Sequence, residues 1–149
     1  MEILKCPICG GDIEVIENQN IGQCIYCGNK VSVPSVSAQK LQLYNNASQL
    51  RQKCEFTRAR SIYEHILLDN SNEADAYWGI VLCKYGIEYV DDPKTGEKIP
   101  TCHRAAATSI YEDDDYKKAI VNADDDKKQL WQSEAQRIDR LLKEILAEA

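Results

Sequence analysis

The sequence predicts a mainly α-helical chain preceded by a small all-β module, and three observations carry that prediction. Two C-x-x-C-G turns, Cys6-Pro7-Ile8-Cys9-Gly10 and Cys24-Ile25-Tyr26-Cys27-Gly28, stand near the N-terminus. From about Ala38 onward the apolar residues change from alternation to a helical period. Near the C-terminus Trp131, Ala135, Ile138, Leu142 and Ile145 step by 4, 3, 4 and 3, which draws one stripe down a long helix.

Residues 1–34 read as the β module. Ile13 and Val15 alternate with polar neighbours, as a half-buried strand does. Glu17-Asn18-Gln19-Asn20 is a turn, Ile21 to Cys24 a returning strand and Lys30 to Val33 a third. A segment this short cannot bury an adequate apolar core. The cysteines supply what is missing. Four thiolates in two C-x-x-C pairs can close a tetrahedral shell around one Zn²⁺, so Cys6, Cys9, Cys24 and Cys27 are the expected metal ligands. Metal binding then contributes the folding energy of a zinc ribbon. Gly10 and Gly28 each follow the second sulfur, where the backbone often needs a positive φ. The 14 residues between Cys9 and Cys24 are one fewer than the usual spacing. The alternatives are a two-disulfide knot, iron in place of zinc, or two separate redox pairs. The total of 7 cysteines is odd, and Cys54, Cys83 and Cys102 are scattered singly. No secretory leader and no stretch of transmembrane length is read in the sequence. A reducing cytoplasm, where thiolates bind metal rather than pair, is the expected location.

Pro34-Ser35-Val36-Ser37 is the expected linker to a helical domain over 38–149. Leu43, Ala47 and Leu50 share one face of a first helix ending near Cys54. Thr57 is a candidate N-cap for a second, whose stripe is Ala59, Ile62, Tyr63, Ile66 and Leu67. Asp69 to Asn72 stops it, and a third helix runs from about Glu73 to Tyr85 with Ala76, Tyr77, Ile80, Val81 and Lys84. A shift of 34 residues lays Leu43 on Tyr77, Asn46 on Ile80 and Ala47 on Val81, which is the tetratricopeptide (TPR) period. Ala47 and Ala59 sit where that repeat brings its two helices close, and Tyr63 takes the bulky position. Residues 38–71 therefore resemble one repeat and 72–86 the first helix of another, with Ser71 in place of the usual Pro and Asn46 in place of the usual Leu. The alternative is a plain helical hairpin. Residues 86–100 interrupt the pattern with a loop or hairpin. Asp92-Pro93-Lys94-Thr95-Gly96 forms its turn and short strands near 88–90 and 97–99 flank it. Residues 104–122 read as one or two short helices around Ile110, Tyr111, Tyr116, Ala119 and Ile120. The last helix spans about Asp126 to Ala147. Asp124, Asp125 and Asp126 stand at its N-terminus, where the helix dipole favours anions. Packing within the chain is expected for this helix ahead of a coiled coil.

The chemistry in the sequence is mostly structural. No hydrolase, kinase or phosphate-loop motif is present. His65 reads as a surface or half-buried residue and not a ligand, Cys54 and Cys83 as small core residues in helices. The adjacent Cys102 and His103 have diverging side chains and are not expected to share a metal. Glu112-Asp113-Asp114-Asp115 lacks the spacing of a calcium loop and reads as a solvated helix start. The net charge of −6 and pI near 5.0 argue against nucleic acid. In residues 1–34, Lys5 and Lys30 face Glu2, Asp12, Glu14 and Glu17, a balance of −2, and a zinc with four thiolates adds another −2. Such a module repels phosphates. The basic stretch Arg51, Lys53, Arg58 and Arg60 reads as a solvated helical face. A zinc held by four protein ligands has no open position, so it is structural and no enzyme is expected. The expected role is protein–protein interaction, with a ribbon-based nucleic-acid regulator as the alternative. The 34-residue register aligns Tyr44, Ser48 and Arg51 with Trp78, Leu82 and Tyr85, six residues expected either to line a concave face for a protein or peptide partner or to belong to the core. One and a half repeats make a short groove, suited to an attached domain or to self-association.

Two stretches carry a family resemblance: Ala76-Tyr77-Trp78-Gly79-Ile80-Val81-Leu82-Cys83-Lys84-Tyr85-Gly86-Ile87-Glu88-Tyr89-Val90-Asp91-Asp92-Pro93, and Ile99-Pro100-Thr101-Cys102-His103-Arg104. With the cysteine module and Glu134-Ala135-Gln136-Arg137-Ile138-Asp139, the chain resembles a bacterial family of zinc-ribbon, tetratricopeptide-like proteins. Many of its members continue into a Toll/interleukin-1 receptor (TIR) domain just after the last helix. The resemblance covers nearly the whole chain and implies architecture rather than a reaction. It implies a TIR domain, attached or separate, as partner, and a place in signalling or defence. The sequence ends at Ala149 and contains no TIR residues, so it is expected to be a truncated piece or a natural short form. TIR activities such as NAD cleavage are not assigned to it.

Overall fold

The computed structural model describes residues 3–14, 21–24, 26–33, 38–104 and 109–148. The turn expected at Glu17–Asn20, the strand position of Val15 and the linker Pro34–Ser37 lie outside the described residues. The architecture is mainly helical with short strands. Two hairpins come first: β1 (Ile3–Lys5) pairs antiparallel with β2 (Asp12–Glu14), and β3 (Ile21–Gln23) with β4 (Lys30–Ser32). The second hairpin repeats the first 18 residues later, strand for strand and cysteine for cysteine. β1 is the strand that sequence reading did not anticipate. Leu4, Ile13, Val31 and Val33 form a small apolar cluster between the hairpins, and Leu41 from the first helix closes it.

Five helices follow among the described residues: α1 (Ala38–Gln52), α2 (Phe56–Asp69), α3 (Ala74–Lys84), α4 (Asp114–Asn122) and α5 (Asp125–Glu148). α1 packs on α2, α2 on α3, and α3 on α4. The expected helices are present, most with boundaries within about two residues; of the stretch expected to be helical over 104–122, residues 105–108 lie outside the described residues and helix begins at Ile110. One start is corrected. α2 begins at Phe56, not after a Thr57 cap. The preceding Glu55 makes no side-chain cap bond, while the buried Phe56 ring anchors the first turn and Thr57 is exposed.

α1 and α2 meet where both side chains are small, at the fully buried Ala47 and Ala59. α2 and α3 meet at Gly79. A Cβ on Gly79 would lie 2.4 Å from Cζ of Tyr63, so the tyrosine ring occupies the space a larger residue would need. α3 is apolar all round, as a helix at the centre of a domain is. Ala76, Ile80 and Cys83 face the α1–α2 core, whereas Trp78, Val81 and Leu82 belong to a second core with α4 and α5. Trp131 of α5 stacks on Trp78, with centroids 5.6 Å apart and planes 14° from parallel.

Between α3 and α4 the chain leaves the helical layer through the hairpin β5 (Ile87–Asp91) and β6 (Lys98–Cys102), turned over the expected Asp92–Gly96 segment. Tyr89 on β5 donates to Glu134 of α5 at 2.5 Å, which ties the hairpin to the last helix. A short 3₁₀ turn, Ile110–Glu112, then leads into α4. Asp113 caps α4, accepting from the backbone N–H groups of Asp115 (2.9 Å) and Tyr116 (3.1 Å), and pairs with Lys84 at 3.0 Å. The acidic run is thus a helix start, as its sequence suggests, but Asp113 and Asp115 are half-buried against Lys84 and not solvated. Asp124 does the same for α5 by accepting from Lys127 N at 3.0 Å.

Candidate metal centre

Each cysteine pair sits in the turn of one N-terminal hairpin, and the two turns are built alike. In the first, Cys6 N donates to Gly11 O and Gly10 N to Cys6 O. In the second, Cys24 N donates to Asn29 O and Gly28 N to Cys24 O. The third residue after each leading cysteine brings its sulfur back beside the first. The chain then escapes through a left-handed glycine, Gly10 at φ 84° and Gly28 at φ 75°. Backbone N–H groups point at the sulfurs: Ile8 N at Cys6 Sγ and Gly11 N at Cys9 Sγ, both 3.4 Å.

The four sulfurs converge. Cys6 Sγ is 3.8 Å from Cys27 Sγ, Cys9 Sγ is 3.5 Å from Cys24 Sγ, and all four lie within 4.8 Å of one another. A tetrahedron with Zn–S bonds of about 2.3 Å has edges of about 3.8 Å, so this is the spacing that a metal-centred shell requires. It is not the spacing of disulfides, whose sulfurs lie about 2.05 Å apart. Cys6 and Cys24 are buried, and Cys9 and Cys27 half-buried. Burial pushes the Cys6 thiol well up. At Cys24 burial also pushes upward, but N–H groups of Cys27 and Tyr26 outweigh it and bring the thiol down to about 7. Burying four sulfurs at contact is favourable when a cation neutralises them, and the donor set suits zinc.

The helical layer supports the shell from behind. Arg51 Nη2 donates to Pro7 O at 2.9 Å and Gln52 Nε2 to Cys6 O at 3.1 Å, while Lys5 N donates to Asn45 Oδ1 at 2.7 Å. α1 thus holds the first cysteine turn by its backbone. Arg51 is 4% exposed, so its place in a solvated basic face is corrected: its guanidinium is internal and its partner is a carbonyl.

The six residues expected along a concave face, Tyr44, Ser48, Arg51, Trp78, Leu82 and Tyr85, are all buried. The register reading did bring them together, since five of them line one cavity of about 80 Å³ that also touches Pro7, Ser32 and Trp131. The chain itself covers them. Trp131 stacks on Trp78, the N-terminal module seats on Arg51, and Tyr44 donates to the buried Glu73 carboxylate at 3.0 Å. Tyr85 presents its carbonyl to Cys102 Sγ at 2.9 Å and to Arg104 N at 3.0 Å. Asp75 gathers three elements: it accepts from Ser32 of β4 and from Lys127 of α5, the latter at 2.6 Å.

Of the remaining residues singled out in the sequence, Cys83 is buried in α3 and His65 is exposed on α2, as expected. Cys54 is corrected. It lies in the α1–α2 turn at φ 61°, half-buried, not within a helix. No helix among the described residues is long and apolar enough to cross a membrane. Comparison with protein-family models, with curated proteins and with solved structures finds no match for this chain.

Proposed function

We propose that this chain is a non-enzymatic interaction or regulatory module: a zinc ribbon clamped on a tetratricopeptide-like helical layer, working in the cytoplasm as the N-terminal part of a TIR-domain signalling or defence protein. One observation supports this reading above the rest. The face that a repeat protein normally offers to a partner is filled by the chain's own ribbon and last helix, through Arg51, Asp75, Trp78 and Trp131. The four sulfurs at tetrahedral spacing suit one structural zinc with no position left for a substrate. On this reading α1 with α2 resembles one repeat and α3 the first helix of a second, which the β5–β6 hairpin interrupts. On this reading the zinc keeps the ribbon shaped to fit the groove, and the groove binds it as an intramolecular ligand. A protein partner, a TIR domain or a second copy, then meets the assembled outer surface or displaces the internal occupant.

The test is elemental analysis of untagged protein joined to thermal melting with and without a chelator. At least one zinc per chain, lost when Cys27 is replaced by Ser, and a lower melting temperature after chelation are the expected results. A folded protein whose 7 thiols all titrate freely and which holds no zinc overturns the ribbon. The TIR association is tested separately by reading the encoding DNA past Ala149, where an open frame without TIR residues removes it.

A further inference from the structure

We propose that Cys54, Glu88 and His103 form a second metal site, distinct from the N-terminal cysteines, that takes a divalent cation of the zinc class and leaves one position open to water. Sequence reading did not find it, because its members come from three segments. Cys54 Sγ lies 3.9 Å from His103 Nε2, the same nitrogen lies 2.8 Å from Glu88 Oε1, and the three donor atoms all fall within 4.8 Å of one another. Thiolate, imidazole and carboxylate are the three donor types that zinc accepts, and three protein ligands leave the fourth place for solvent. Tetrahedral coordination with bonds of about 2.0–2.3 Å sets donors roughly 3.3–3.7 Å apart. The sulfur and nitrogen need to close by a few tenths of an ångström, and the histidine and carboxylate to part by about half of one. The side chains of His103 and Glu88 are 48% and 29% exposed, so an ion can enter from solvent and complete its shell with water.

The backbone at Cys54 is the second observation. α1 ends in a Schellman closure, with Glu55 N donating to Leu50 O at 2.8 Å and Cys54 N to Arg51 O at 2.9 Å. The residue at this point of the motif adopts the left-handed conformation and is usually glycine. Here it is a cysteine at φ 61°, the one non-glycine with positive φ among the described residues. A side chain held against the conformational preference of its backbone, with its sulfur directed at a histidine and a carboxylate, is what a ligand needs. The other two donors are equally fixed. His103 N donates to Gly86 O at 2.9 Å, and Thr101 Oγ1 to Glu88 O at 2.8 Å, so both sit at the foot of the β5–β6 hairpin. Arg104, adjacent to His103, places its guanidinium over the Phe56 ring and on Thr57 Oγ1, and the His103 ring packs against the same Phe56. A cation here would clip the α1–α2 turn to that hairpin.

The experiment uses the full chain loaded with one equivalent of Zn²⁺ and titrated with Co²⁺ as the probe. Zinc outcompetes cobalt for thiolate sites, so the first ion stays in place. A second saturable equivalent is expected, with sulfur-to-cobalt charge-transfer absorption about a quarter as strong as a four-thiolate cobalt site gives, one sulfur against four. Cys54→Gly and His103→Ala are each expected to weaken this second equivalent at least tenfold. Glycine suits the backbone at position 54 and His103 is half exposed, so both variants should fold. Neither touches the N-terminal cysteines, and the first equivalent should be unchanged in both. The proposal is overturned if wild-type protein takes up no second equivalent below millimolar Co²⁺, if its second equivalent lacks the sulfur band, or if both variants bind as wild type does.

Discussion

Replacing Trp131 by Ala tests whether the last helix truly fills the helical groove. Trp131 is 1% exposed and stacks on Trp78 at 5.6 Å. A buried indole removes about 200 Å² from water, worth about 5 kcal/mol at about 25 cal/mol per Å². A compact unfolded chain lowers that by roughly 10–40%. The ring pair restores about 0.5–1.5 kcal/mol. The expected loss is therefore about 3.5–6 kcal/mol, overlapping the usual range of about 3–5 for tryptophan truncations in cores. Against a total stability of about 5–15 kcal/mol, that leaves a marginal protein. Urea unfolding with zinc present, followed by far-ultraviolet circular dichroism, reads the loss without relying on tryptophan emission. Trp78→Ala and the double variant complete a cycle whose coupling should reach about 1 kcal/mol. A loss under about 1.5 kcal/mol, or strictly additive single variants, would refute the seating of α5 on α3 and reopen the groove to an outside partner.

Gly79→Ala should destabilise by up to about 2 kcal/mol in thermal or urea unfolding. Its Cβ would meet the buried Tyr63 ring at 2.4 Å, an overpacking cost of about 1–3 kcal/mol against a helix gain near 1. Adding Tyr63→Leu should recover part of that loss, and a stabilising single variant would show a looser α2–α3 crossing. Asp113→Ala should cost about 1–2 kcal/mol, since it removes a two-fold cap and a partner of Lys84, with Asp113→Asn recovering most of the cap. Equal melting temperatures for all three proteins would deny the cap its role. Cys27→Ser or chelation should collapse amide dispersion over residues 3–33 while most of the helical signal persists, because the helices keep two apolar clusters of their own. Dispersed spectra for those residues in metal-free protein would show that the hairpins fold without the ion.

Local chemistry was the part of the fold legible in sequence. Spacing alone located the four cysteines, because a C-x-x-C-G turn determines its own geometry through short backbone bonds and a left-handed glycine. The helices were legible from their stripes, and α4 and α5 from their aspartate starts. What stayed hidden depends on long-range placement. The register grouped Tyr44, Ser48, Arg51, Trp78 and Leu82 around one space, but no local pattern says that Pro7, Ser32 and Trp131 fill it. Arg51 looked solvated because its three basic neighbours are polar, and its carbonyl partner lies 44 residues away in sequence. Cys54 was misplaced by the habit of ending helices with glycine; a cysteine in that role leaves no signal in composition. The pairing of His103 with Cys54 and Glu88 spans 49 and 15 residues and depends on the hairpin foot.

The same placement argues that the N-terminal hairpins, the central helix and the last helix form one mechanical unit. Asp75 has an 11% exposed side chain and binds both Ser32 of β4 and Lys127 of α5, whose own side chain is 9% exposed. Charges so deeply buried are costly to strip of their partners, by about 3–5 kcal/mol when one member of a pair is lost. Displacing the N-terminal hairpins removes the Ser32 hydroxyl from Asp75 while leaving its ion pair with Lys127, takes the Pro7 carbonyl from Arg51, and opens the cavity beside them to water. Partial release is penalised at each of these points together, so the groove is either closed by its own chain or opened as a whole. A partner that competes for this face must offer a hydroxyl or cation to Asp75, a carbonyl to Arg51 and an aromatic to Trp78. Those are the groups that Ser32, Lys127, Pro7 and Trp131 already supply.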